Sequence, residues 1–173
     1  MGQLTFALGL VSACACAAVP PAAAPGRALP SLSFALADGS EVTTEKTRGD
    51  VLVLAFFTIW CPTSAKALHA VEEIRLRNDA TPGLTVLAVD EGDKPEDVAA
   101  FIAKQGLKVG VAFDKGGAVA SELGLPTMPS VIVIGRSGLI RQVFAGYHGD
   151  EDRVAISDAV SALLAEETVA RSE

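Results

Sequence analysis

The chain has 173 residues, of which 50% are hydrophobic and 20% are charged, and this length fits one compact domain with a further segment outside it. The formal net charge is -7 and the lysines and arginines form no cluster, which argues against a nucleic-acid partner because binding to a phosphate backbone depends on clustered cations. Aromatic residues are few and most are phenylalanines inside apolar runs, so a base-stacking surface is not expected either.

The N-terminal segment, residues 1–18, has the pattern of an export signal. An apolar run at residues 4–11 is followed by small residues, and no charged side chain precedes Arg27. The run is too short to span a bilayer, and small residues suit a signal peptidase. Val11-Ser12-Ala13-Cys14 also resembles the lipobox of bacterial lipoproteins, in which the cysteine carries the lipid. Two processing routes therefore stay open: ordinary cleavage, or lipidation of Cys14 with a lipid anchor in the membrane.

Residues 19–30 are rich in alanine and proline, and we expect them to form an extended tether that builds no core. The predicted domain then spans residues 31–168, with a polar tail at 169–173. An export signal places this domain in the bacterial cell envelope, on the periplasmic side. After cleavage the domain contains a single cysteine, Cys61, so it can have no internal disulfide.

Beyond the tether, strand-like and helix-like patterns alternate. Residues 32–36 and 41–43 predict a hairpin because Asp38-Gly39 suits a tight turn, and residues 51–57 predict a strand buried on both faces. The later predicted elements are a helix from residue 63 or 64 to about 76, a strand at 84–89, a helix at 95–105, a short strand at 109–113, a helix at 118–123, a hairpin of strands 131–134 and 139–144, and a helix from a cap at Asp150 through 164.

The segment Trp60-Cys61-Pro62-Thr63-Ser64 lies where the buried strand ends and the first long helix begins. A helix N-terminus brings partial positive charge and free N–H groups to the sulfur, which typically lowers a cysteine pKa from ~8.5 to between ~3.5 and ~7.5. A dithiol site on such a helix carries sulfurs at positions 61 and 64. Ser64 cannot form a disulfide, so an outside thiol has to release any mixed disulfide at Cys61. Its hydroxyl is expected to hydrogen-bond to the Cys61 thiolate.

The other candidate residues carry weaker signals. Trp60 either shields the thiol and offers an apolar surface to a substrate, or lies at the rim of the core. His69 follows Cys61 on the same predicted helix at a rise of ~12 Å, too far to share a proton with the thiol. His148 lies in a predicted loop, and Cys61 with one histidine does not make a metal site. The sequence therefore predicts no metal and no cofactor.

From about residue 29 to 164 the sequence resembles the thioredoxin superfamily, and most closely the TlpA/ResA-like envelope thiol-disulfide oxidoreductases. The resemblance depends on Phe56-Phe57-Thr58-Ile59-Trp60-Cys61, and on the segment from 123 to 134 that reads Leu-Gly-Leu-Pro-Thr-Met-Pro-Ser-Val-Ile-Val-Ile, followed by Gly138. It implies an α/β thioredoxin-like fold, in which helices flank a central mixed sheet and an N-terminal β-hairpin is added.

The resemblance also implies roles for individual residues. Cys61 and Ser64 would form the catalytic pair of positions, and a cis proline would pack beside the cysteine. Pro129 is chosen over Pro126 because it directly precedes a strand. The substrate, a protein disulfide or a low-molecular-weight thiol, would contact Trp60, Pro62, Thr63, Met128 and Pro129, with the Met128 backbone pairing to an extended segment. The sequence carries no signal of oligomeric state.

Three departures from the family pattern limit the expected chemistry. Ser64 replaces the resolving cysteine, Ala67 stands at a position that is often acidic, and His69 replaces a proline that often kinks the helix. Ordinary two-cysteine reductase activity is therefore not expected. The sequence predicts thiol-disulfide exchange through one nucleophilic cysteine, with a non-catalytic binding module of the same fold as the alternative.

A second alternative is a one-cysteine peroxidase, because Thr58-Ile59-Trp60-Cys61-Pro62-Thr63 resembles the T-x-x-C-P-T core of peroxiredoxins. Attack on a peroxide needs one sulfur in its first step. Leu54, however, stands where peroxiredoxins have a proline, and Pro129 stands where they have an activating arginine. Arg136 and Arg141 are near that position in sequence but displaced from it.

Overall fold

The structure is a computed structural model that describes residues 22–170, with side chains up to residue 166. The predicted export signal and Cys14 lie outside the described residues. The strands are β1 Ser33–Leu36, β2 Glu41–Thr43, β3 Val51–Phe57, β4 Leu84–Asp90, β5 Gly110–Phe113, β6 Ser130–Ile134 and β7 Ile140–Ala145. The helices are α1 Ser64–Arg77, α2 Pro95–Gln105, α3 Ala118–Leu123 and α4 Asp150–Ala170, and a 3-10 turn at Lys115–Gly117 precedes α3.

Seven strands form one mixed sheet in the order β2-β1-β5-β4-β3-β6-β7. β3, β4 and β5 run parallel, and the other pairings are antiparallel. β3 lies in the middle of the sheet and all seven of its residues are buried, as its continuous apolar run predicts. The α/β fold with a central mixed sheet, flanking helices and an N-terminal hairpin is confirmed.

The side chains of β3 alternate between two hydrophobic cores, one on each face of the sheet. Val51, Val53 and Phe57 pack with apolar side chains of α1, α2 and α4. Leu52 and Phe56, on the opposite face, pack with α3 and with the segment before β1. The central strand β3 is therefore covered on both faces, and the polar groups next to it lie at its two ends.

The parallel strands give the sheet two different edges. At the edge where β3 and β4 end, Cys61 follows β3, Asp90 closes β4, and Pro129 precedes β6; we call this the reactive edge. At the opposite edge β3 and β4 begin after Gly49 and Gly83, and Arg136 follows β6; we call this the anchoring edge. There the Arg136 guanidinium donates to the carbonyl oxygens of Gly49 and Gly83 at 2.6 and 3.3 Å.

Residues 22–30, the described part of the predicted tether, differ from that prediction because they pack on the domain. Ala23 and Leu29 are buried in the core that faces α3. The backbone N–H of Ala23 donates to Leu123, and those of Gly26 and Leu29 donate to Ile140 and Gly138. The segment turns at Gly26, where the Arg27 N–H donates to the Ala24 carbonyl, and its two buried apolar side chains hold it against the domain.

The last helix also differs from its prediction. Asp150 is the first residue of α4 and not its cap, because the carbonyl of Gly149 already accepts the hydrogen bond from the Arg153 N–H. The helix continues past residue 164 to Ala170. In the part of the chain that the structure describes, none of the helices combines the length and hydropathy needed to cross a bilayer.

Candidate active site

Cys61 lies in a tight turn between the end of β3 and the first residue of α1. Its N–H donates to the Thr58 carbonyl at 3.4 Å, and its own carbonyl accepts from the Ser64 N–H at 3.1 Å. These bonds tie the turn to both elements. The Thr63 side chain makes no capping bond to the helix, so its hydroxyl is available to the thiol. The sulfur is partly buried.

Within residues 22–170, two groups lie at hydrogen-bonding distance from the sulfur. The Thr63 hydroxyl lies 3.4 Å from Sγ, and the thiol donates to the Met128 carbonyl at the same distance. The Met128-Pro129 peptide bond is cis, which confirms the cis bond predicted at Pro129 in place of Pro126. The antiparallel pairing of Phe56 with Ser130 brings this loop from β6 to the end of β3. Two segments more than sixty residues apart in sequence therefore meet at the thiol.

Opposing influences act on the pKa of Cys61. Burial of the sulfur is the largest of them and favours the neutral thiol. The hydroxyl and N–H of Thr63, and the nearby side chain and N–H of Ser64, favour the thiolate, and together they lower the pKa below its ordinary value. The direction agrees with the lowering that a helix N-terminus predicts. The geometry thus provides a partly accessible thiol with an increased thiolate fraction.

Ser64 is buried beneath this turn, in the first turn of α1. Its hydroxyl lowers the pKa of Cys61 but makes no hydrogen bond of standard geometry within the described residues. The hydrogen bond predicted between Ser64 and the sulfur is therefore not formed in the structure, and Thr63 has that place. Ala67, one turn further along the helix, is also fully buried. Because its side chain is a methyl group, it cannot exchange a proton with residue 64 as an acidic side chain could.

The other predicted contact residues surround the thiol on the open side. Trp60 has 74% of its surface exposed, so it does not belong to the core rim. Pro62 is exposed as well, whereas Met128 is partly buried and Pro129 is buried. The structure thus brings Met128, Pro129 and Thr63 to Cys61 and leaves Trp60 and Pro62 beside it facing solvent. Their roles in substrate binding remain predictions.

Neither histidine contacts the thiol. His69 is exposed on α1, where its Nε2 lies 3.4 Å from the side-chain oxygen of Gln105. The His148 ring pairs with Asp152 at 3.0 Å, in the loop before α4. Within the described residues no three histidine, cysteine, aspartate or glutamate side chains are arranged to hold a metal ion.

The two arginines weighed for peroxide activation lie far from the reactive edge. Arg136 belongs to the anchoring edge, where it contacts the Gly49 and Gly83 carbonyls. Arg141 on β7 pairs with Glu166 of α4 at 2.9 Å. Neither guanidinium therefore stands where it could stabilise an oxygen leaving group at Cys61.

Sequence reasoning missed two carboxyl groups at the reactive edge. Asp93 accepts a hydrogen bond from the Ile59 N–H at 2.8 Å, two residues before the thiol, and Asp90 accepts one from the Asp93 N–H at 2.9 Å. Burial of Asp90, together with its neighbour Asp93, raises the pKa of Asp90 to about 7. A sequence signal existed, because Asp90 directly ends an apolar strand at the same edge as Cys61.

Comparison with known proteins agrees with this geometry. The family model described as Redoxin matches residues 24–163. Thiol-disulfide oxidoreductase ResA of Bacillus thuringiensis is 24% identical over 121 residues, which cover 70% of this chain and 69% of ResA.

Solved structures show the same fold. A candidate thiol:disulfide interchange protein DsbE from Chlorobium tepidum superposes with a TM-score of 0.75 at 25% identity, over 82% of this chain and 98% of that one. A secreted Mycobacterium tuberculosis disulfide oxidoreductase homologous to E. coli DsbE gives a TM-score of 0.66 at 18% identity, over 76% of this chain and 96% of that one. With a family match over most of its length and a thiol beside a cis proline, the chain belongs to the Redoxin family of the thioredoxin superfamily, as a TlpA/ResA-like member with Ser64 in the second cysteine position.

Proposed function

We propose that this protein carries out thiol-disulfide exchange in the bacterial cell envelope, with Cys61 as its single nucleophile. The observation that supports this most strongly is the sulfur itself. It is partly accessible, sits at a helix N-terminus, has a lowered pKa, and touches the carbonyl that precedes the cis proline. A vestigial cysteine would not need any of these features.

The reaction consists of two exchanges. The Cys61 thiolate attacks one sulfur of a substrate disulfide, forms a mixed disulfide with it, and expels the other sulfur as a thiolate that takes a proton from water. An external thiol then attacks the mixed disulfide and releases Cys61, while the substrate sulfur passes to the incoming thiol. No net oxidation of the protein occurs over the cycle. Because Ser64 carries no sulfur, the second step has no intramolecular route.

The open side of the thiol suits protein disulfides or low-molecular-weight thiols. Trp60 and Pro62 offer exposed apolar surface next to the sulfur, and the Met128 carbonyl can accept from a backbone N–H of an extended substrate. We place this activity on the periplasmic side of the envelope because residues 1–18 read as an export signal. Lipidation of Cys14 would anchor the mature protein to the membrane.

The test is to treat the reduced protein with glutathione disulfide and follow the intact mass. We expect one glutathione adduct, located at Cys61 by peptide mapping, which persists until a reducing thiol is added. The Cys61→Ser variant is the matched control and should acquire no adduct at that peptide. Failure of the wild-type protein to form the adduct would favour a binding module without exchange chemistry.

The peroxidase alternative is tested with one equivalent of hydrogen peroxide, followed by a sulfenic-acid probe. The positions of Arg136 and Arg141 lead us to expect slow oxidation without saturation. Rapid stoichiometric labelling of Cys61 would instead support peroxide reduction. Intact-mass analysis of the protein from its native compartment would identify the cleavage site, any lipid on Cys14, and any adduct on Cys61.

A further inference from the structure

We infer that Asp90 holds a proton beside the Asp93 carboxylate and that this carboxyl pair positions the Ile59–Cys61 loop, so that deprotonation of Asp90 loosens the loop. Both residues act through the backbone and not on the substrate, so they are positioning residues. The inference rests on the proposed function only for its consequence in exchange, because the positioning itself can be observed without the thiol.

A continuous series of hydrogen bonds joins the pair to the loop. The Ile59 N–H donates to Asp93 Oδ2 at 2.8 Å, and the Asp93 N–H donates to Asp90 Oδ2 at 2.9 Å. Ile59 is separated from Cys61 only by Trp60. The Asp93 side chain therefore holds the backbone at the point where β3 passes into the loop. The Asp90 side chain holds the backbone of Asp93 in turn.

The environment of Asp90 requires a proton. Its side chain is completely buried, and its Oδ1 has no N–H or O–H donor within the described residues. The Asp93 N–H donates to the other oxygen of Asp90, Oδ2, so the negative charge of Asp93 lies close to this buried carboxyl. A second negative charge at Asp90 is unfavourable in such a site, whereas a protonated Asp90 carries no charge there. A proton on Asp90 thus removes the charge from a buried Oδ1 that has no donor within the described residues.

The remaining charged groups near Asp90 do not neutralise it. Glu91 is the first residue after β4, and Asp114, the first residue after β5, uses its two carboxylate oxygens to accept from the Val119 and Ala120 N–H groups. Lys115 lines the same open cavity of about 470 Å³ as Asp90 and Asp93 but makes no ion pair with either of them. This cavity also gives the pair access to water, so that a proton can leave or return.

Deprotonation of Asp90 should weaken the connection to the loop. The proton passes to water, two negative charges then face each other in a buried site, and Asp93 moves away from its neighbour. The Ile59 N–H loses its acceptor, and the loop that carries Trp60 and Cys61 gains freedom. Since Asp90 has a pKa of about 7, this change falls at physiological pH.

Trp60 is the only tryptophan in the chain and therefore reports on this loop. Its emission should be recorded from pH 5 to 9 in the Cys61→Ser background, which removes the thiolate next to Trp60. We expect a transition with its midpoint near 7. The Asp90→Asn change should abolish it, because the amide is uncharged at every pH. Asp93→Asn should shift the midpoint down by about one pH unit or more, since it replaces a neighbouring negative charge with a hydrogen-bond donor.

Glu91→Gln is the matched control, because it removes a carboxyl group from the same cluster without altering the connection to Ile59, and it should keep the transition. A transition that persists in Asp90→Asn would overturn the inference, because another group would then cause it. A wild-type loop that shows no transition would overturn it as well. Neither result depends on whether Cys61 performs exchange.

The consequence for the reaction is measured in the protein that retains Cys61. The alkylation rate of Cys61 should show two pH-dependent steps, one from the thiol and one from the carboxyl pair. Asp90→Asn should remove the second step and keep the first. A purely structural role for Asp90 would change both steps or neither, and that outcome would contradict the inference.

Discussion

The two edges of the sheet differ in the polar groups that they hold and in the hydrogen bonds that these groups make. At the anchoring edge, the Val51 N–H donates to Gly83, the Gly49 N–H donates to Arg136, and the Arg136 guanidinium returns to the Gly49 and Gly83 carbonyls. At the reactive edge, three buried side-chain oxygens have no N–H or O–H donor among the described residues: the hydroxyl oxygens of Thr58 and Ser64 and the Oδ1 of Asp90. The same strands thus begin among paired backbone groups at the anchoring edge and end beside the thiol at the reactive edge.

This difference has a physical reason. A buried polar group without a partner costs free energy, typically about 1–3 kcal/mol, so folding alone does not favour such groups. They persist where function needs a thiol, a hydroxyl or a carboxyl that can change its hydrogen bonds. The anchoring edge and the two hydrophobic cores supply the stability that allows the reactive edge to keep them.

The largest expected effect follows from restoring a sulfur to the reactive edge. In Ser64→Cys the second thiol lies in the first helical turn next to Cys61, so it can attack a mixed disulfide within the same molecule. We expect the lifetime of the glutathione adduct to fall by ~10-fold or more and an internal disulfide to appear, both followed by intact mass. Ser64→Ala is the control and should retain the adduct; equal lifetimes in both variants would show that position 64 does not control release.

Asp90→Asn should stabilise the protein at alkaline pH. The folded protein holds this proton up to about pH 7, whereas the free carboxyl releases it near 3.8. The folded state therefore binds more protons in this window, and the free energy of unfolding falls as pH rises from about 4 to 7. Removing the ionisable group should add on the order of a few kcal/mol at pH 8 and nothing near pH 3.

Urea unfolding at both pH values measures this difference. Glu91→Gln again serves as the comparison, since its carboxyl is less buried and should give a smaller gain. If wild type and Asp90→Asn have equal free energies of unfolding at pH 8, ionisation of Asp90 does not destabilise the fold. That result would contradict the raised pKa of this carboxyl.

At the anchoring edge we expect stability to change without any effect on the thiol. Arg136→Met keeps the length of the side chain but removes the donors to two backbone carbonyls, which should lower the free energy of unfolding by about 1–2 kcal/mol. The alkylation rate of Cys61 should stay the same as in the wild type. A change in the alkylation rate of Cys61 in this variant would show that the two edges are coupled.

The smallest expected effect concerns the hydroxyl that touches the sulfur. Thr63→Val preserves shape but removes one hydrogen bond to the thiolate, so the pKa of Cys61 should rise by about half a unit to one unit. Helix α1 should keep its stability because the Thr63 side chain makes no capping bond. The pH profile of Cys61 alkylation measures the shift, and the exposed Thr81→Val serves as control.

The sequence allowed much of the fold to be predicted because local patterns decide it. The apolar run of β3, the Asp38-Gly39 turn and the bounds of α2 and α3 all agree with the structure. Cys61 and the cis bond at Pro129 could be found because they lie in short motifs. Ser64 could be recognised as a lost sulfur for the same reason.

What could not be predicted depends on contacts between distant residues. The packing of Ala23 and Leu29 requires a surface formed by α3 and β7, so an alanine and proline pattern alone reads as a tether. The hydrogen bond from Ile59 to Asp93 joins two loops 34 positions apart, and no motif marks it. The choice between Thr63 and Ser64 as the hydroxyl next to the sulfur depends on side-chain geometry in a single helical turn.

The central claim is that Cys61 is an accessible thiol whose environment favours ionisation. The most direct test is the rate of its alkylation by iodoacetamide as a function of pH, followed at the Cys61 peptide by mass spectrometry. We predict a midpoint for the main step below the ~8.5 of a free cysteine, with rapid modification at neutral pH. A midpoint at or above ~8.5, or a thiol that reacts only after unfolding, would contradict this account.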